Sequence, residues 1–323
     1  MIKKNKKNPV IKPRAFSIYR KIYNPGFFYE EGKYYLFCRS KNVLGISEIV
    51  LYISNDGVNF KKERVVLDAD SKIDKKGVED PRIVKIKDRY LMTYTAYDGK
   101  SARLCIAISK NLYDWKKFDN ALLAWNACMA GSFTVPWDKA QQTEEAITEW
   151  SKAGGIFSKK IKDKYWMMFG DRYIWLAESD NGLRWQASTR PFIKPRLGFF
   201  DSVHVEMGPP PIYTEKGWVV LYHGINDQAE YSLGLILLDL EFPKKIIFRS
   251  KNPVIKIDQL YEYSKKTDIS TDKATKPEVI FCNGAQVVSD KLLLYYGAGD
   301  FSVCQASVDL NEVLYNYKSL QIK

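Results

Sequence analysis

Short runs of aromatic and β-branched residues, separated by glycine, asparagine and aspartate, fill most of this chain, and the three-to-four-residue spacing of an amphipathic helix is scarce. The pattern predicts an all-β protein built from many short antiparallel strands. The one helix-like stretch of any length is 141–150, expected in a loop with Glu144, Glu145 and Glu149 exposed.

The strands recur as units. A hairpin made of an apolar strand, a polar turn and an aromatic strand occurs five times: 26–39 turning at Glu31, Gly32 and Lys33; 82–97 at Lys87, Asp88 and Arg89; 154–170 at Lys162, Asp163 and Lys164; 211–224 at Glu215, Lys216 and Gly217; and 285–297 at Ser289, Asp290 and Lys291. A second strand ending in a turn follows most of them, at 51–60, 106–115 and 175–185, and a further strand recurs at 8–13, 190–195 and 252–256. Such self-similarity predicts a five-bladed β-propeller, with residues 1–323 as one catalytic domain. A β-sandwich gives no reason for five copies of one hairpin.

At 323 residues and 46% hydrophobic composition the chain can bury a large core. No apolar run approaches the roughly 20 residues of a membrane span, and the lysine-rich start Met1-Ile2-Lys3-Lys4 lacks the apolar stretch of a signal peptide, so no membrane partner and a cytoplasmic location are expected. Five scattered cysteines read as reduced core residues. The net charge of +12 is spread over many turns, which points to a solvated lysine-rich surface and not to a nucleic-acid partner.

In a propeller the ends of the first hairpins meet at one mouth, and several of these ends carry polar residues: Asn24, Arg39, Glu79-Asp80-Pro81-Arg82, Tyr97-Asp98, Asp171-Arg172, Glu206, His223 and Asp300. Two carboxylates followed by proline and arginine enter an otherwise apolar strand at residue 79. Arg82 there can hold a carboxylate or a sugar hydroxyl, and an acidic turn with an ion pair is the plainer reading. Glycoside cleavage needs one carboxylic acid to protonate the leaving oxygen and, for inversion with water, a second to activate the nucleophile. Glu206 is a candidate for that base, or a rim residue satisfied by a backbone amide. Two histidines, His204 and His223, in one repeat support neither a serine triad nor a zinc site, so no metal is expected. Tyr94 and Tyr97 are candidate pocket aromatics.

Taken in order, Asn24-Pro25-Gly26, the 36–39 strand end, Gly77-Val78-Glu79-Asp80-Pro81-Arg82-Ile83, Thr93-Tyr94-Thr95-Ala96-Tyr97-Asp98-Gly99, Gly208-Pro209-Pro210-Pro211-Ile212, Leu221-Tyr222-His223-Gly224 and Tyr295-Tyr296-Gly297-Ala298-Gly299-Asp300 resemble glycoside hydrolase family 130, the β-mannoside phosphorylases and mannosidases, over essentially the whole chain. The resemblance implies that Asp80 is the general acid and that Asn24, Arg39, Asp98 and Asp300 hold the mannosyl unit. It also exposes departures. The lysine that usually follows the Gly-Pro-Pro-Pro-Ile run is Tyr213, the arginine of the third repeat is replaced by Lys152 with the next arginine at Arg172, and His223 is retained.

The expectation is therefore an enzyme that cleaves short β-mannosides with inversion. Hydrolysis comes first, with Asp80 as acid and Glu206 as base. The alternative is phosphorolysis, with inorganic phosphate as co-substrate held by Lys152, Arg172 and His223; a second is a non-catalytic sugar-binding propeller. No cofactor is implied. The expected partner is a mannose-containing oligosaccharide, and association into a homo-oligomer is left open.

Overall fold

The computed structural model describes residues 2–122, 125, 150–263 and 279–316. Of the expected helix at 141–150 only Trp150 is described, and it is not helical; the rest and Cys128 lie outside the described residues.

The described chain is almost wholly strand. Four consecutive antiparallel meanders run along it. The first is β2 (Tyr19–Glu30), β3 (Lys33–Asn42), β4 (Ser47–Ser54) and β5 (Lys61–Leu67). The second is β6 (Gly77–Ile86), β7 (Arg89–Tyr97), β8 (Ala102–Ser109) and β9 (Lys116–Asn120). These two join in one sheet through a single parallel pairing, Ser47 with Gly77. The third comprises β10 (Gly155–Ile156), β11 (Tyr165–Phe169), β12 (Trp175–Ser179) and β13 (Gln186–Ala187). In the fourth, β14 (His204–Met207) and β15 (Ile212–Thr214) pair with opposite ends of β16 (Gly217–Ile225), followed by β17 (Tyr231–Leu238) and β18 (Ile246–Arg249).

A last sheet draws on both ends of the chain. Strands β19 (Ile280–Val288), β20 (Lys291–Ala298) and β21 (Ser302–Asp309) take β1 (Lys3–Lys4) as their outer neighbour, and a short helix α1 (Leu310–Tyr315) follows, capped by Asp309. All five predicted hairpins are present. The segments at 8–13, 190–195 and 252–256, expected as strands, instead make single bridges: Ile11 to Val303, Ile193 to Ile174, and Ile255 to Leu233.

The repeated turn after the third strand has a common hydrogen-bond code. Ser54, Ser109 and Ser179 each accept from the amides two and three residues on. Asp56, Asn111 and Asn181 do the same for the next two amides. The turn closes on a left-handed residue, glycine at 57 and 182 but Leu112 in the second copy. Side chains thus replace the ladder partners that the backbone loses at the bend.

Alternation in the strands buries one residue in two on each face, and the buried faces form five apolar clusters. Phe37 and Ile49 meet Met92 between the first and second meanders; Leu91 and Leu104 meet Phe169 and Trp175 between the second and third. Met168 and Leu176 meet Trp218 between the third and fourth, and Leu221 meets Tyr296 and Cys304 between the fourth and the last. Leu36 and Val50 then pack with Tyr295 and Val303, so the last sheet also packs on the first.

The N-terminus is tied into this arrangement by charge. Lys4 Nζ donates to Glu262 Oε2 and Asp258 Oδ1, each at 2.7 Å, and to Lys256 O at 2.8 Å; fully buried Glu262 also accepts from Tyr296 Oη at 2.8 Å. Lys4→Ala leaves that buried carboxylate without its cation. The expected cost is about 3 kcal/mol of unfolding free energy, read from urea denaturation, with Asp258→Ala much milder because its side chain is half exposed.

Candidate active site

The opening strand pairs of the first, second and last antiparallel units share an irregularity. The pairing of β2 with β3 skips from Tyr23 to Gly26, that of β6 with β7 from Glu79 to Arg82, and that of β19 with β20 from Phe281 to Gly284. In the first two, the bulged residue is left-handed, Asn24 at φ 46° and Asp80 at φ 52°, and proline follows. Asn and Asp tolerate that conformation best among residues with a Cβ, and a proline at a bulge removes no ladder hydrogen bond. The bulges turn both side chains toward each other, and Asn24 Nδ2 donates to Asp80 Oδ1 at 2.9 Å.

Arg39, on the neighbouring strand β3, closes this half of the site. Its Nη1 donates to Asp80 Oδ1 at 3.2 Å, its Nη2 to Glu79, and its Nε to Ser47 Oγ at 3.1 Å, while its plane lies 4.9 Å from the centre of the Tyr23 ring. Asp300, left-handed at φ 51° in the turn between β20 and β21, is close enough for its charge to act on both Tyr23 and Arg39. Close backbone approach explains two glycines of the motifs. A Cβ on Gly297 would stand 2.1 Å from Asn24 Oδ1, and one on Gly26 would stand 2.7 Å from Pro81 O.

The other half gathers around Lys152, just ahead of β10. Its Nζ lies 3.3 Å from Asp171 Oδ2 and 3.3 Å from Glu206 Oε1, and these carboxylates, working against burial, keep it charged. Burial pushes the Glu206 carboxyl up to about 7, with Lys152 opposing and Asp171 reinforcing. His204 Nε2, 3.9 Å from Glu206 Oε2, accepts the Arg172 amide at 2.9 Å; burial holds that imidazole down to about 4, so it is neutral and forms no ion pair. His223 pairs in register with Glu206 and stacks on Phe281 at 4.1 Å. Its Nε2 accepts the Cys282 amide at 2.8 Å, which places the hydrogen on Nδ1, and that buried Nδ1 has no partner within the protein.

Arg82 braces the two halves. Its Nε and Nη2 donate to Gly208 O and Met207 O at 2.7 Å each, and its Nη1 to Asp80 O at 2.9 Å. The sequence reading assigned Arg82 to substrate; the structure gives its donors to backbone carbonyls. Tyr94, also read as a pocket residue, lies in the apolar cluster between the first two meanders. Asp98 closes its own turn, accepting from Arg103 at 2.7 Å and from the Lys100 and Ser101 amides. Burial pushes its carboxyl up, but these donors outweigh burial and the net shift is downward.

Tyr213 needs a correction as well. It is 43% exposed, packs on Trp218 at 5.3 Å and has Lys159 Nζ 3.3 Å over its ring. In register it faces Trp218, five residues along β16 from His223, about 17 Å away. Its identity therefore carries no information about an anion at the site. Residues without an assigned role in the sequence reading, Glu79, Asp171 and Ser47, join the cluster. Glu79 and Asp171 already stood at hairpin ends, the signal that marked the others. Among the described residues no group of three or more His, Cys, Asp and Glu side chains is placed to hold a metal ion, and no helix is long and apolar enough to cross a membrane.

The model of glycoside hydrolase family 130, described as β-1,4-mannooligosaccharide phosphorylase, matches residues 4–319. A 1,2-β-oligomannan phosphorylase of Thermoanaerobacter sp. (strain X514) is 30% identical over 97% of this chain and 98% of its own. A β-1,2-mannobiose phosphorylase of the same organism is also 30% identical, covering 90% of this chain and 91% of its own. A solved structure with a TM-score of 0.80 and 28% identity, covering 96% of this chain and 94% of its own, was presented with the statement that this family of mannoside phosphorylases contains glycoside hydrolases that target β-1,2 mannosidic linkages in Candida mannan.

The buried Glu206 carboxyl makes stability depend on pH in a defined direction. Its folded pKa of about 7 lies above the ordinary 4.5, so its contribution is complete below pH 4.5 and is lost as the pH rises through 7. Glu206→Gln carries no such loss. Calorimetry is expected to show the variant gaining on wild type between pH 5 and pH 8, on the order of 2 kcal/mol, with Lys152 still paired to Asp171.

Proposed function

The chain belongs to glycoside hydrolase family 130, and on that premise we propose that it is a β-mannoside phosphorylase, converting a short β-mannoside and inorganic phosphate into mannose 1-phosphate and the shortened sugar. The observation that carries the reading is the unpartnered, buried Nδ1–H of His223 in a cluster with charged Lys152. A buried donor that finds no acceptor in the chain, beside a cation, suits a phosphate oxygen, which supplies the acceptor and a matching charge. Arg172, at the adjoining turn, is a third candidate for that anion. The full-length relatives support the same reaction.

In the proposed step a phosphate oxygen attacks the anomeric carbon and the glycosidic bond breaks. Its electron pair moves onto the leaving oxygen, which takes a proton from Asp80 directly or through a sugar hydroxyl. A single displacement inverts the anomeric centre. Asn24, Arg39 and Asp300 hold the mannosyl unit next to Asp80. A phosphate dianion beside Glu206 disfavours its carboxylate further, so Glu206 takes up a proton and donates it in a hydrogen bond to phosphate.

The five meanders are read as the blades of one propeller domain, a reading supported by the packing of the last sheet on the first. A phosphorylated product is retained by membranes, which fits a cytoplasmic enzyme.

The sequence puts hydrolysis first because Tyr213 and Lys152 depart from the phosphate-binding residues of the family and Glu206 offers a base. Tyr213 lies away from the cluster and the curated relatives are phosphorylases, so the order reverses. One observation keeps hydrolysis as the second reading: Glu206 Oε1 is buried without a directed hydrogen bond, and its carboxyl titrates near neutrality, as a base toward water must.

Incubation with β-1,2- or β-1,4-mannobiose, with and without phosphate, separates the two. We expect mannose 1-phosphate only when phosphate is present, a fall of about 10³-fold in Asp80→Asn, and a raised KM for phosphate in Lys152→Ala. Free mannose released equally fast without phosphate would establish the hydrolytic reading instead.

A further inference from the structure

Two consecutive carboxylates share one guanidinium in this site. In an unbroken strand neighbouring side chains point to opposite faces, which would separate Glu79 from Asp80. The bulge after Glu79 and the left-handed Asp80 cancel that alternation. As a result Arg39 holds Glu79 on Nη2 and Asp80 Oδ1 on Nη1 at 3.2 Å, with Ser47 Oγ 3.4 Å from the Glu79 carboxyl. The side chains are 17% and 9% exposed. Two carboxylates this close and this poorly hydrated do not both ionise readily on one cation.

The surroundings decide which one keeps the proton when the site is empty. Burial and the Asp80 charge push Glu79 up against Arg39. For Asp80, burial is outweighed by Arg39 and the Asn24 hydrogen bond, and its net shift is downward. Without substrate the balance favours the charged form of Asp80 and the neutral form of Glu79.

We propose that Glu79 is a positioning residue that shares a single proton with Asp80: the pair holds it across the Arg39 fork, on Glu79 in the empty site and on Asp80 when the leaving oxygen arrives. This rests on Asp80 being the proton donor. In the cleavage step the proton passes from Asp80 to the leaving oxygen as the glycosidic electron pair moves there, and both carboxylates are left ionised on Arg39. Solvent restores the proton before the next turnover. The charged and titratable groups acting on the pair are Arg39 and Lys41 from β3, Arg82 from β6, Lys152, Tyr23 from β2 and Glu206 from β14. Among them Glu206, its carboxyl pushed up to about 7 by burial, changes charge near neutrality.

The test is the pH dependence of kcat/KM in wild type, Glu79→Gln and Glu79→Asp. A donor works protonated, so activity falls as pH rises through its pKa. Removing the neighbouring negative charge lets Asp80 ionise at lower pH. The Gln variant is expected to move the alkaline limb acidward by about one pH unit or more, equivalent to roughly a 10-fold loss at pH 7, recovered on acidification with KM little changed. The Asp variant keeps the second carboxylate and the wild-type limb. An unmoved limb in the Gln variant, or a loss equal at every pH, overturns the proposal.

Infrared spectroscopy gives a readout independent of turnover and of folding in the Gln variant. In Glu206→Gln protein at pH 7, one protonated-carboxyl band should be present and should vanish when Asp80→Asn is added, because Glu79 then has Arg39 to itself. Absence of the band, or its persistence in the double variant, defeats the sharing. A band that behaves as expected together with an unmoved limb overturns the proposal through its premise, that Asp80 is the donor, because the proton is then shared but not delivered.

Discussion

Arg39 is the point at which two hairpins become one site. Its planar fork is directed by Ser47 behind it and by the Tyr23 ring against its face, so the two outer nitrogens present a fixed pair of donors. Glu79 and Asp80 reach those donors only because the strand bulges between them and their partners. Asn24 reaches Asp80 because its own strand bulges at the equivalent place. The glycines at 26 and 297 then follow from the close approach of three backbones that this geometry demands. Remove the cation and the adjacent carboxylates repel, with little solvent to screen them.

The Lys152 half follows the same logic. One cation lies between two carboxylates, Asp171 and Glu206, and burial leaves Glu206 balanced between charged and neutral near pH 7. Arg82 and His223 make the frame that keeps the halves together. Arg82 holds the 207–208 backbone beside Glu206, and His223 holds the bulge of β19 through the Cys282 amide. Both belong to the site without Arg82 having to touch a sugar. Chemistry and support therefore sit two positions apart in Asp80-Pro81-Arg82, which is why a single short motif marks the site so strongly.

The sequence motifs locate this site better than they assign its members. Asn24, Arg39, Asp80, Glu206 and His223 were recognisable because each stands at the end of a repeated hairpin, where a polar residue interrupts an apolar pattern. Glu79 stands in the same motif, but strand alternation alone would turn it away from Asp80, and only the bulge brings the two together. Tyr94 is misplaced by the sequence for a different reason: aromatic side chains suit a sugar face and a sheet-to-sheet core equally well, and nothing local tells the two apart.

Hydrophobic alternation, the five hairpins and the serine-based turns are local properties, set by side-chain period and by hydrogen bonds between residues two or three apart. The sequence by itself therefore determined the all-β class, the positions of the five hairpin turns and the family. Bulges, ion-pair partners and the destination of each buried donor depend on contacts between residues far apart in the chain, such as Arg82 with Gly208 or His223 with Cys282. Only the tertiary structure decided those, because a charge buried among other charges takes its state and its partner from whatever the fold brings beside it.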